Sequence, residues 1–342
     1  STGEWVGSQH SNPNLLDNWY FVDPVNQRDG KFIPAGTTYY SDTALTVVAG
    51  VTAQYFKVSH ISNNVYSIDG TNPTMYVSGN DVRKGYINEG YTIDRWMVDN
   101  NGGQGSLKIL DGFIRGTKIA LSSNGGTSHA IHTAIEMAPR LSGKTVTLSA
   151  MVRGTGGTAV LLYTNHGIVG SRTIDPSTNW TLCSVTVELP NDLTYLSCFL
   201  YFDLNRDTMG YTDFYAAKLE LGAQQTLAHK EGDTWVLNDP PPNRALELAK
   251  CQRYYRRFDR IVANTGGVLT PYISPYLNYP DMRVTPLFLC HGGIVDGGGL
   301  PINASIVRAE FTKNSGVFIQ LNESFSGSGI VQFLDCSLNS DL

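Results

Sequence analysis

The sequence predicts an all-β protein: a jelly-roll β-sandwich carrying a small β insert, followed by a short linking helix and a C-terminal β-sandwich tip domain. Three observations lead there. Charged residues fill only 16% of the 342 positions, against roughly a quarter in ordinary soluble domains, so the Glu/Lys/Ala-rich stretches from which surface helices are built are scarce. Tyrosine (18) and glycine (35) are abundant, the first suited to strands and the second to turns. Short runs with alternating or dense β-branched and aromatic content recur between turn signals along most of the chain.

At this length more than one core is expected. Residues 1–29 and 86–225 are assigned to the jelly roll. Within them, strands are expected at Phe113 to Leu121, His129 to Met137, Thr145 to Arg153, Ala159 to Tyr163, Trp180 to Leu189, Leu196 to Leu204 and Phe214 to Leu221. Turn signals such as Ser123-Asn124-Gly125-Gly126, Asp175-Pro176-Ser177 and Pro190-Asn191-Asp192 separate them. Residues 30–85, with Pro34-Ala35-Gly36, Tyr39-Tyr40 and Asp69-Gly70, read as an inserted β subdomain. Residues 226–257 are expected to be a polar, Pro-rich linker leading into a helix from Asn243 to Arg257, behind Pro240-Pro241-Pro242. Residues 258–342 form the tip.

Charge narrows the partners. A net charge of -5 and a pI near 5.8 leave no basic footprint for nucleic acid. No apolar run approaches the roughly 20 residues of a membrane-spanning helix, and Ser1 to Trp19 has neither the basic start nor the apolar core of a signal peptide. Because the chain opens on Ser1 rather than Met, an upstream part is expected. The five cysteines form no C-x-x-C pair and read as buried free thiols, as in a protein assembled in a reducing cytoplasm.

Three passages carry a family resemblance. Asn14-Leu15-Leu16-Asp17-Asn18-Trp19-Tyr20-Phe21 with Pro24-Val25-Asn26-Gln27-Arg28, and later Gly90-Tyr91-Thr92-Ile93-Asp94-Arg95-Trp96, resemble the start of tail-fibre proteins of phages and prophages of Gram-positive and gut bacteria. Ser142 to Gly154, Trp180-Thr181 and Ala217 to Gly222 are similar to jelly-roll carbohydrate-binding modules. Glu247 to Tyr255, with Pro280-Asp281-Met282-Arg283 downstream, resembles the opening of the tip domain in such fibres. The resemblance implies a homotrimeric virion component, joined to an upstream fibre or baseplate protein, that attaches to a bacterial surface polysaccharide or teichoic-acid-type glycan.

Glycan binding needs flat apolar faces for sugar C–H surfaces with polar groups beside them. Two strand ends offer such residues: Tyr163, Asn165 and His166 on one, and Tyr201, Asp203, Asn205 and Arg206 on the other. The alternative is that Tyr163 and Tyr201 belong to the core. In the tip, Tyr272, Tyr276 and Tyr279, interleaved with prolines, could stack on sugars or seal a subunit interface. Trp19, Trp96 and Trp180 read as core.

His129 and His132, three apart on a strand, face opposite sides of the sheet. A structural calcium held by Asp17, Asp213 and Glu220 would suit the oxygen chemistry of that ion; no other cofactor is required. Paired carboxylates for hydrolysis, Asp203/Asp207 and Glu231/Asp233, lie in no motif, so a polysaccharide depolymerase or esterase is the catalytic alternative to passive binding, and a structural fibre part without receptor contact the other. Gly154-Thr155-Gly156-Gly157, with no helix behind it, reads as a hairpin turn.

Overall fold

A computed structural model describes residues 11–87, 90–100, 104–120, 129–175, 177–202, 210–264, 270–273, 282–283, 286–299, 301–302, 306–311, 317–325 and 330–340. Apart from one α-helix and two 3-10 turns the described elements are strands, and every strand pairing among them is antiparallel. The chain divides into two compact units, residues 1–242 and 243–342. No helix among the described residues is long and apolar enough to cross a membrane.

The first unit is a jelly-roll sandwich. One layer contains Ser177–Glu188, Thr145–Gly154, Tyr211–Leu221, Phe113–Ala120 and Gln104–Leu110 side by side. The other, in spatial order, is Gly167–Ile174, Thr158–Thr164, Leu196–Phe202, His129–Ala134, Met97–Asn100 and Gly90–Tyr91. Strand periodicity builds the core between them: Val146, Leu148, Ala150 and Val152 point in from one layer, and Val160, Leu162, Cys198, Leu200 and Phe202 from the other, all essentially buried.

Residues 30–85 extend the first layer rather than standing apart from it. Arg83–Ile87 pairs on one side with Gln104–Leu110 and on the other with Lys31–Ile33. Further strands carry the sheet outward to twelve, around a small core of Ile33, Val58, Ile68 and Val77.

The two N-terminal passages are clamped together. Asn18, in the left-handed region at φ 53 that asparagine tolerates, accepts from Val25 N at 2.7 Å and donates to the carbonyls of Asp94 at 2.7 Å and Val25 at 2.9 Å. The Trp96 indole donates to the Asn18 carbonyl at 3.1 Å, and its ring packs edge-on against Phe21. The segment around Leu15 to Phe21 then continues the ladder along Tyr211–Leu221 beyond the reach of Phe113–Ala120, through Leu15 N to Leu219 O (2.8 Å) and Phe21 N to Tyr215 O (3.0 Å). Asn18→Ala strips buried polar groups of their partners and puts alanine in a left-handed site, so we expect a loss of about 1–3 kcal/mol in urea unfolding; an unchanged midpoint would refute the clamp.

Further differences from the sequence expectation lie within this unit. Part of the stretch expected to be a linker is a hairpin, Ala228–Glu231 with Thr234–Leu237 turning at Gly232. Its polar residues mask a stripe of Leu227, Ala228, Trp235 and Leu237 that packs on the sandwich core. The Gly154 to Gly157 turn is not a hairpin: Thr145–Gly154 and Thr158–Thr164 lie in opposite layers, so this turn carries the chain from one sheet to the other.

In the second unit the helix is Arg244–Gln252, capped by Asn243, whose side chain accepts from Ala245 N and Leu246 N. It ends earlier than expected because Tyr255–Asn264, rich in aromatic and β-branched residues, pairs with Ile330–Asn339. Leu287–Cys290 and Ile294–Asp296 also pair with Ile330–Asn339, and Val317–Phe325 lies between Thr270–Ile273 and Ile306–Phe311 in a second sheet. Ile261, Phe288, Ile319, Phe333 and Leu338 are buried in this unit's core.

All five cysteines are free thiols; four are buried and Cys290 is half-buried. Cys290 stands opposite Cys336 on the neighbouring strand. The Cys336 thiol, hydrogen-bonding to Cys290, draws it down to about 7, while the same contact and burial push Cys336 up. Thiolate is the reactive form, so limited alkylation at pH 7.5 is expected to label Cys290 first by peptide mass spectrometry; first labelling at Cys183 or Cys198 would contradict this.

Candidate functional site

The outer face of the six-stranded layer carries an aromatic ridge. On Leu196–Phe202 the alternation sends Cys198, Leu200 and Phe202 inward and leaves Ser197, Phe199 and Tyr201 on the outside. Register then places side chains from neighbouring strands beside them. Phe199 is opposite His132 on one side and Leu161 on the other; Tyr201 is opposite Ala130 and Ala159; Ser197 is opposite Tyr163.

The rings touch. His132 stacks on Phe199 with centroids 4.5 Å apart and 9° between planes. Phe199 lies 6.0 Å from Tyr201 at 21°, and Tyr163 meets Phe199 at 6.3 Å with its plane turned by 69°. Tyr163 is the outermost, 43% exposed, and the other three are half-buried. A row of rings rising from a rigid sheet is preorganised, because the strands beneath fix its spacing.

Polar groups sit within the ridge. Ser197 donates its hydroxyl to Thr133 O at 3.1 Å, so its 3.3 Å contact with His132 Nδ1 requires the imidazole to be the donor. That tautomer leaves Nε2 as an acceptor. Asp99 shares a lateral row with Ala130 and Tyr201. Burial, and then the Asp99 charge, push the Tyr201 hydroxyl up, so it stays protonated and can donate.

Burial pushes the His132 imidazole below its ordinary value, with Asp99 acting in the opposite sense. The unfolded chain protonates this histidine as pH falls through about 6.5, whereas the folded protein resists. Its contribution to stability is therefore present above about 6.5 and is lost as pH falls towards the depressed folded value. Between pH 7.5 and 5 the melting temperature of the wild type is expected to fall more steeply than that of His132→Asn; parallel curves would assign the dependence elsewhere.

Of the residues expected to touch a ligand, Tyr163 and Tyr201 converge on this ridge and point away from the core. Asn165 and His166 form the turn just beyond Tyr163, and they are committed to a neighbouring loop. Asn165 donates to Asp192 O at 3.2 Å and accepts from Thr194 N at 3.0 Å, while His166 Nε2 lies 2.7 Å from Asp192 Oδ1. Asp203, Asn205 and Arg206 lie outside the described residues, as do Tyr276 and Tyr279. Tyr272 falls on Thr270–Ile273 in the second unit, with its backbone opposite Gln320. Phe199, His132 and Asp99 were not singled out as ligand residues. The two-residue spacing of Ser197, Phe199 and Tyr201 was the available signal for the first.

The carboxylates considered for calcium each have protein partners. Asp17 pairs with Arg95 at 3.5 Å, Asp213 with Arg115 and Arg153, and Glu220 accepts from Thr226 N at 2.6 Å and from the Thr226 hydroxyl. As placed they do not fit a shared ion, and among the described residues no three His, Cys, Asp or Glu side chains gather for a metal. Glu231 and Asp233 flank the exposed tip of the hairpin at Gly232, with Glu231 3.1 Å from His229 Nε2; Asp203 and Asp207 lie outside the described residues.

Fold and ridge together define a jelly-roll sandwich with an aromatic outer sheet face. No family model matches the chain, and no curated protein matches it. Among solved structures it is similar to a CBM4 carbohydrate-binding module (17% identity over 38% of this chain and 88% of that one, TM-score 0.33). It is also similar to the CBM1 module of BiXyn10A (16%, 40% and 90%, TM-score 0.28). A third similar structure is the C-terminal family 22 carbohydrate-binding module of Clostridium thermocellum Xyn10B (13%, 37% and 87%, TM-score 0.25).

Proposed function

We propose that this chain is a non-catalytic glycan-binding protein that grips a polysaccharide along the His132–Phe199–Tyr201–Tyr163 ridge. The observation that carries the reading is the ridge itself: four rings in contact, held outward by two-residue alternation, with His132 Nε2, the Tyr201 hydroxyl and Asp99 beside them. Stacked aromatic surface with a few placed polar groups is the chemistry a pyranose chain needs.

We further propose that it serves a bacteriophage as a tail-fibre receptor-binding protein, on the strength of the N-terminal, jelly-roll and Cys251-Gln252-Arg253-Tyr254-Tyr255 sequence passages. In that role it is a homotrimer joined to an upstream fibre or baseplate protein, and its ligand is a bacterial surface polysaccharide or teichoic-acid-type glycan. Three ridges per trimer convert individually weak contacts into avidity gains of about 10² to 10⁴.

A glycan array probed with the intact chain, alongside Phe199→Ala and Tyr163→Ala, tests the binding role. Signal on bacterial polysaccharides that falls in both variants supports it; wild-type silence across the array, or signal indifferent to both changes, refutes it. Light scattering giving the mass of one chain would refute the trimer.

A further inference from the structure

The opposite face of the sandwich carries a second cluster that the ridge does not use. Asp213 on Tyr211–Leu221 is fully buried and stands in register between Arg115 on one neighbouring strand and Arg153 on the other. Arg115 grips both carboxylate oxygens, Nε to Oδ1 at 2.6 Å and Nη2 to Oδ2 at 3.0 Å, and Arg153 Nε donates to Oδ2 at 2.9 Å. Two guanidinium groups against one carboxylate leave a surplus charge of +1 in a chain whose net charge is -5.

The arginines are held in place and remain reachable. Arg115 lies 3.8 Å over the Tyr211 ring, and Arg153 lies 4.9 Å over Phe113 and 4.6 Å over Trp180. Their side chains keep 28% and 31% exposure. Among the described residues neither Nη of Arg153 nor Nη1 of Arg115 has a hydrogen-bond partner. Rigid forks with open donors are the usual receptor for a planar oxyanion.

Aromatic surface runs on from them. Trp180, expected in the core with Trp19 and Trp96, is instead half-buried; it packs 5.4 Å from Tyr215, and Tyr215 lies 6.3 Å from Tyr20. Tyr20 and Tyr215 line a cleft of about 550 Å³ together with Trp235 and Pro240.

We propose that this face is a second saccharide site, selective for uronic acids. The C6 carboxylate takes the open Nη donors of Arg153 and Arg115, and the sugar chain continues over Trp180 towards the Tyr215–Trp235 cleft. A uronate carries the single negative charge that matches the +1 surplus, whereas a phosphate monoester carries close to two. The inference shares with the proposed function only the class of ligand, and it concerns the opposite sheet.

Calorimetric titration of the intact protein with trigalacturonate, galacturonate, glucose 6-phosphate and neutral xylohexaose tests it, in the wild type, Arg153→Gln and Phe199→Ala. Arg153→Gln keeps the two-pronged Arg115–Asp213 pair. Trigalacturonate is expected to bind the wild type, to weaken at least tenfold in Arg153→Gln, to weaken as NaCl rises from 20 to 300 mM, and to be unaffected by Phe199→Ala. The salt titration uses unaltered protein, so it remains decisive if the Gln variant folds poorly. No trigalacturonate binding by the wild type, binding insensitive to salt, binding undiminished in a folded Arg153→Gln protein, or tighter binding of glucose 6-phosphate than of galacturonate would overturn the proposal. Trigalacturonate binding that depends on Arg153, together with array signal indifferent to both Phe199→Ala and Tyr163→Ala, would sink the ridge while this site stands.

Discussion

Truncating Phe199 to alanine is expected to weaken glycan binding by roughly ten- to a hundredfold with little change in fold. Phe199 is the centre of the ridge, touching His132, Tyr201 and Tyr163, and central aromatic anchors cost about 1.5–3 kcal/mol when removed from an interface. Tyr163→Ala should cost less, since that ring stands at the rim with 43% of its surface exposed. The order of the two effects matters as much as their size. A larger loss from Tyr163 than from Phe199 would place the ligand beyond the ridge rather than along it. Binding isotherms on the first array hit, with circular dichroism to confirm the fold, decide between these outcomes.

The largest effect on stability is expected from the other sheet. Replacing both Arg115 and Arg153 with glutamine leaves the Asp213 carboxylate with no side-chain exposure and no counter-charge. Breaking a buried pair in this way costs about 3–5 kcal/mol, a fall in melting temperature of about 10 °C for a unit of this size. The triple variant that also carries Asp213→Asn removes the stranded charge and should recover most of the loss. If the double and triple variants melt together, the arginines contribute packing against Phe113, Trp180 and Tyr211 rather than neutralisation of Asp213.

The fold class was legible in the sequence because inward and outward residues alternate on strands such as Thr145–Gly154 and Leu196–Phe202, with turn residues between them. Lateral relations were not. That Arg83–Ile87 bridges Lys31–Ile33 and Gln104–Leu110, making the insert an extension of the sandwich sheet, depends on pairing between distant segments, which local periodicity does not encode. Gly167–Ile174 escaped notice because its glycines, serine and arginine suit an exposed edge strand rather than a buried one. The Ala228–Leu237 hairpin was hidden by His229, Lys230 and Glu231, whose polarity reads as linker.

The candidate site was half legible for the same reason. Tyr201 and Tyr163 stood out as aromatic residues near strand ends, yet Ala159-Val160-Leu161-Leu162-Tyr163 is apolar throughout and does not declare which side faces water. Parity did settle the histidines. His129 is buried and stacks on the core ring Phe202, while His132, three residues on, stacks on Phe199 outside. What the sequence did not supply was register, and register is what gathers residues from three strands into one ridge.

The most direct test of the ridge is a ring-selective NMR titration of the intact protein, with labelled Phe and Tyr, against the strongest array hit. Ring signals of Phe199, Tyr201 and Tyr163 should move on binding, while those of Phe202 and Phe214, sealed between the layers, stay put. Saturating ligand that leaves Phe199 and Tyr201 unmoved would contradict the account.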